Sequence, residues 1–101
     1  MKTVMVRYKV KAARVEENRG HIERVFAALA QSRPQGLRYA AFCLPDGVSF
    51  VHLAAVDGGG ENPLQATPEF QAFVADIRAR CDEPPQPVEL ELVGNYRLVD
   101  G

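Results

Sequence analysis

The chain has 101 residues, of which 47% are hydrophobic and 25% charged, with a formal net charge of -1. Those proportions belong to an ordinary globular protein of one domain, residues 1–101, and exclude a disordered or collagen-like chain. No stretch approaches the ~20 apolar residues of a membrane span, and MKTVMVRYKVK alternates where a secretory leader runs apolar, so a cytoplasmic protein without a membrane partner is expected.

Charge is unevenly spread: residues 1–40 carry nine Lys and Arg against three acids, and residues 41–101 carry three against ten. The basic residues are strewn singly over separate elements, which reads as a solvated surface and not as a nucleic-acid footprint. Cys43 and Cys81 lack the spacing of a zinc site or a disulfide framework and read as buried thiols, so no metal is expected.

Along the chain, Val4, Val6, Tyr8 and Val10 alternate with Thr3, Met5, Arg7 and Lys9, which predicts a strand over 2–11. From Val15 the period becomes helical, with Ile22, Val25, Phe26 and Leu29 on one stripe until Arg33-Pro34-Gln35-Gly36. Strands follow over 37–44 and 48–56, joined by Pro45-Asp46-Gly47 as a type I turn with a glycine bulge, which sets Leu44 opposite Val48. Gly58-Gly59-Gly60 and Asn62-Pro63 form a mobile connection. Thr67-Pro68-Glu69 then opens a second helix, with Phe70, Phe73, Val74, Ile77 and Cys81 inward, Asp76 and Arg80 paired outside, and Pro84-Pro85 at its end. Val88, Leu90 and Leu92 alternate in a last strand with a bulge at Gly94.

Strand, helix, strand, strand, helix, strand defines an α+β chain: a ferredoxin-like βαββαβ unit with an antiparallel four-stranded sheet, central first and third strands, and both helices on one face. The drier set, Val4, Val6, Tyr8, Val10, Leu37, Tyr39, Ala41, Val51, Leu53, Val88, Leu90 and Leu92, is assigned to the helices. Met5, Arg7, Arg38, Phe42, Leu44, Val48, Phe50, His52, Ala54 and Val93 fall on the other side, an apolar patch that needs a cover.

The segment Gly47-Val48-Ser49-Phe50-Val51-His52-Leu53 approaches the third-strand motif of RNA-recognition domains, but Val48, Leu53 and Met5 stand where that motif stacks aromatics. No nucleic-acid partner is expected. The valine-rich first strand, Glu17-Asn18 at the helix opening, the hairpin LRYAAFCLPDGVSFVHL, Asn62-Pro63-Leu64 before Pro68-Glu69-Phe70, and the closing Val93-Gly94-Asn95-Tyr96-Arg97 together resemble small dimeric α/β-barrel proteins similar to antibiotic-biosynthesis-monooxygenase domains. The resemblance implies a homodimer in which two sheets close over each other, and a cofactor-independent monooxygenase acting on a small aromatic or quinol-like substrate. The absence of Trp, of Asn in the first strand and of His in the second helix departs from the haem-degrading members.

Within that frame His52 is the candidate catalytic base, a neutral imidazole able to take a phenolic proton. Arg7 and Arg38 are candidate anchors for an anionic oxygen, Phe42 and Phe50 candidate walls of an aromatic cavity, and Asn18 a candidate substrate contact at its mouth, or else a helix cap or a bond to a nearby strand. Tyr8 and Tyr39 are assigned to the core. The competing expectation is a non-catalytic dimeric binding or structural module whose lumen is filled by its own side chains.

Overall fold

The computed structural model describes residues 2–57 and 62–98. The first alternating run forms β1, Lys2–Val10, and a 3-10 turn at Ala12–Arg14 leads into α1, Val15–Ser32. Arg33 ends that helix in the left-handed region at φ 46°, its N–H returning to the Leu29 carbonyl just ahead of Pro34. The hairpin consists of β2, Leu37–Cys43, and β3, Ser49–Val56. Pro68 occupies the first turn of α2, Pro68–Ala75; the helix breaks at Asp76, resumes as α3, Ile77–Arg80, and passes into β4, Cys81–Leu90. The strands form one antiparallel sheet in the order β2-β3-β1-β4, so β1 and β3 are central, as the element order predicts. Gly58-Gly59-Gly60 lies outside the described residues.

The end of the chain departs from the sequence pattern. The helix stops at Arg80 instead of Pro84-Pro85, and the strand begins at Cys81 and carries Pro84, Pro85 and Pro87 within it. Prolines are tolerated there because β4 is an edge strand bonded only to β1. Leu92 and Gly94 follow the strand instead of lying in it. Pairing of Met5 with Val88 and of Thr3 with Leu90 turns Val88 and Leu90 to the helix-free side.

A second correction concerns β3. The turn uses the expected residues, with Gly47 at φ 78° and its N–H bonded to the Leu44 carbonyl, but it contains four residues instead of three. Asp46 causes the extension: its carboxylate accepts the N–H groups of Val48 and Ser49 and the Ser49 hydroxyl. Val48 is thereby held in the loop, and Leu44 bonds Ser49. A shift of one residue reverses every side chain of β3 relative to β2. Phe50, His52 and Ala54 therefore pair with Cys43, Ala41 and Tyr39 on the helix-covered face, and Val51 and Leu53 pair with Phe42 and Ala40 on the open one.

The core lies between sheet and helices, where Tyr8, Val10, Val25, Phe50, Leu64, Phe73, Ile77 and Cys81 pack together. Each large apolar side chain buried there contributes roughly 1.5–3 kcal/mol. Cys81 is buried as expected, whereas Cys43, at the hairpin end of the edge strand β2, is exposed. No helix among the described residues is long and apolar enough to cross a membrane.

Candidate functional site

Pairing of Tyr8 with Phe50 and of Val6 with His52 on the central strands brings Tyr8 and His52 onto one face, and pairing of Tyr39 with Ala54 adds Tyr39 from β2. Tyr8 Oη lies 2.8 Å from His52 Nε2, and Tyr39 Oη lies 2.6 Å from His52 Nδ1, so both ring nitrogens are occupied by tyrosine hydroxyls. Asn18 of α1 donates from Nδ2 to Tyr8 Oη at 3.0 Å, and its Oδ1 accepts from Arg80 Nε of α3 at 3.3 Å. Arg80 also donates from Nη2 to the Phe73 carbonyl at 2.7 Å, and its guanidinium stands over the Phe73 ring. The result is a continuous polar row, Tyr39–His52–Tyr8–Asn18–Arg80, crossing an otherwise apolar interior.

Arg80 is 0% exposed, in contrast to the outward-facing ion pair its spacing from Asp76 suggests. Its Nη1 sits 4.0 Å from Asp76 Oδ2 without a hydrogen-bond partner, while Asp76 is held at 2.8 Å by Arg14. Residues 73, 77 and 80 share one helical face, and that spacing is the sequence signal that places Arg80 inward. Burial shapes the rest of the row. It pushes the His52 pKa down to about 4, so the imidazole is neutral at physiological pH. It also drives both tyrosine hydroxyls above the ordinary phenol range, which keeps them protonated.

Above this row is a cavity of about 620 Å³ between the sheet and α2. Val6, Tyr8, Tyr39 and His52 line its sheet side, and Phe70 and Phe73 its helix side. The His52 ring stacks on Phe73 with centroids 5.5 Å apart, and Tyr39 meets Phe70 edge-on. The rim includes the exposed Lys2, Gln65 and Arg78. Volume and lining are those of a small-molecule site: apolar walls with a few fixed polar groups. Among the described residues, no three His, Cys, Asp or Glu side chains are grouped to share a metal ion.

The structure divides the six candidate residues between two faces. His52 lines the cavity at 5% exposure, but from the helix-covered side. Phe50 is also on that side, stacked on Tyr8 at 5.5 Å in the core and not among the cavity walls. Asn18 is fully buried and bonds a strand residue, Tyr8, instead of standing at a cavity mouth. Arg7, Arg38 and Phe42 belong to the helix-free face: Arg7 and Phe42 both pair with Val51, and Arg38 reaches Asp57 at 3.8 Å. The cavity that His52 lines includes neither arginine, and the one-residue difference in the hairpin loop, which puts His52 on the opposite face from them, is the reason. Tyr8, Tyr39 and Arg80 are the residues that reading by pattern leaves out of the site.

The arrangement defines a ferredoxin-like α+β domain with a small-molecule-sized cavity between its sheet and its second helix. Solved structures of antibiotic biosynthesis monooxygenase domains have the same fold. One such crystal structure is 18% identical, with a TM-score of 0.68 over 93% of this chain and 100% of its own. SnoaB, a cofactor-independent oxygenase from Streptomyces nogalater, is 20% identical, with a TM-score of 0.66 over 95% and 96%. A protein of unknown function from Nitrosomonas europaea is 17% identical, with a TM-score of 0.72 over 99% and 95%. No protein-family model and no curated protein matches the chain.

Proposed function

We propose that the cavity binds a small, flat aromatic ligand and that the chain is a cytoplasmic, homodimeric, cofactor-independent monooxygenase of a phenolic or quinol-like substrate. The observation that carries this reading is the cavity of about 620 Å³, walled by aromatic rings and met by a buried tyrosine–histidine row. The oxygenase named among the structures of like fold supports the choice of chemistry. Conversion of a phenol to a quinone by O2 needs no further reductant. The ring supplies four electrons, one oxygen atom becomes the second carbonyl, and the other leaves as water with hydrogens from the substrate's C–H and O–H. The protein's part is to hold the ring, exclude water and stabilise the electron-rich anion that reacts with O2. Both nitrogens of His52 are engaged, so under this reading Tyr39 touches the substrate and His52 positions it. The open face of the sheet, where Met5, Phe42, Val51, Leu53, Val88 and Leu90 lie without a helix above them, supports the choice of a dimer.

Oxygen uptake with naphthols and dihydroxynaphthalenes under isotopically labelled O2 tests the proposal. One labelled atom is expected in the product and one in water, with kcat/KM for Tyr39→Phe lower by about 10- to 100-fold. Binding of the same compounds without turnover favours the non-catalytic module, and absence of binding removes the ligand site.

A further inference from the structure

The buried row has a direction, and that direction determines which group a ligand must present. It starts at Arg80, whose guanidinium has donors only. Contact with Arg80 Nε therefore fixes the near atom of Asn18 as Oδ1 and turns Nδ2 toward Tyr8. Tyr8 Oη accepts that bond, so the hydrogen it carries goes to its other partner, His52 Nε2 at 2.8 Å. With Nε2 accepting, the neutral ring carries its hydrogen on Nδ1 and donates it to Tyr39 Oη at 2.6 Å. The hydroxyl hydrogen of Tyr39 is left over. Among the described residues His52 is the only hydrogen-bond partner of that hydroxyl, and both residues line the cavity.

Reversing the row fails at Tyr8. With Nε2–H donating, the Tyr8 oxygen receives two N–H groups and its own hydrogen has no acceptor among the described residues, at a side chain only 2% exposed. Tyr8 and Tyr39 both line the cavity, but Tyr8 is almost wholly buried and already receives two N–H groups, so a stranded donor there disfavours that tautomer on the order of tenfold to a hundredfold, whereas the spare hydrogen of the half-buried Tyr39 can meet water or ligand. A doubly protonated ring meets the same obstacle at Tyr8.

We propose that Tyr39 is a one-way hydrogen-bond donor to the cavity, oriented by Arg80 through Asn18, Tyr8 and His52. It selects ligands that present an acceptor oxygen, a carbonyl or a phenolate, over ligands that present a donor at that point. Asn18, Tyr8, His52 and Arg80 are positioning residues acting through Tyr39. The inference rests on the reading of the cavity as the ligand site.

Two measurements on the whole chain test it. Nitrogen-15 NMR of the free protein, assigned by comparison with His52→Gln, is expected to show His52 as the Nδ1–H tautomer. Binding of three isosteric tricycles then reads the cavity: 9-fluorenone with an acceptor, fluorene with neither group, and carbazole with an N–H donor. Fluorenone is expected to bind about tenfold more tightly than fluorene, with carbazole weakest. Tyr39→Phe is expected to remove the fluorenone advantage and leave fluorene unchanged. In Asn18→Asp a carboxylate accepts from both Arg80 and Tyr8, which reverses the row, leaves Tyr39 as an acceptor and lets carbazole overtake fluorenone. An Nε2–H tautomer in the wild-type protein overturns the direction of the row. An Nδ1–H tautomer with fluorenone and fluorene binding equally overturns the donor role of Tyr39. The expected tautomer with none of the three bound overturns the ligand site itself.

Discussion

The two faces of the sheet handle polarity in opposite ways. The helix-covered face buries a histidine, two tyrosines, an asparagine and an arginine, and each is hydrogen-bonded to the next. The open face instead leaves apolar side chains in solvent: Phe42 is 50% exposed and Val88 48%. In a dry interior an unpaired polar group costs more than a hydrogen bond returns, so these groups occur as one linked row, open only at its two ends, Arg80 Nη1 and the Tyr39 hydroxyl. On a wet face single polar groups need no partner, and apolar area is what remains unsatisfied. Polar substitutions should therefore act on stability at the covered face and on association at the open face.

The largest expected effect comes from breaking the row at its origin. Arg80→Met keeps most of the side-chain volume but leaves Asn18 Oδ1 and the Phe73 carbonyl without their donor. Relief from burying the charge offsets part of the loss, and a net destabilisation of about 3 kcal/mol is expected in urea unfolding. Arg7→Met, on the exposed side of β1, is the control and should change stability by less than about 0.5 kcal/mol. Equal effects at the two positions sink the distinction between the faces.

A slightly smaller effect follows from pH. Burial lowers the His52 pKa from 6.5 to about 4, so between those values the unfolded chain binds more protons than the native one. Stability is then complete above pH 6.5 and falls as pH drops toward 4, by about 3 kcal/mol at most from this residue. His52→Gln should flatten the slope in that window. A wild-type protein equally stable at pH 4.5 and 7 contradicts a buried neutral imidazole.

Much of this architecture is legible in the sequence because it depends on periods. Val4, Val6, Tyr8 and Val10 announce a half-buried strand, and the 18-residue helix and the Thr67-Pro68 start carry their own boundary signals. The side chosen by β3 depends on parity. Its two faces, Phe50-His52-Ala54 and Val51-Leu53-Ala55, are both apolar enough to be a core, so composition favours the one without histidine. Only the hydrogen bonds of Asp46 to Val48 and Ser49 decide between loops of three and four residues, and those depend on loop geometry. Proline likewise reads as a breaker until the strand that carries it is known to be an edge. The site shares this weakness: His52 stands out as a lone titratable residue, but Tyr8, Tyr39 and Arg80 acquire their roles only once the register joins them.

The smallest effect tests the open face. Under the proposed dimer, Phe42 leaves water only when a second sheet covers it, since in one protomer half of its surface remains exposed. Phe42→Glu should therefore leave the unfolding of the single chain almost unchanged while weakening association by about 2 kcal/mol, close to thirtyfold in the dissociation constant. Sedimentation across a dilution series reads this directly. Wild-type protein is expected to sediment as two chains at micromolar concentration, and the variant to dissociate at concentrations where the parent does not. A wild-type chain that remains single throughout removes the dimer but not the cavity, because every residue of the tyrosine–histidine row belongs to one protomer and lies on the other side of the sheet.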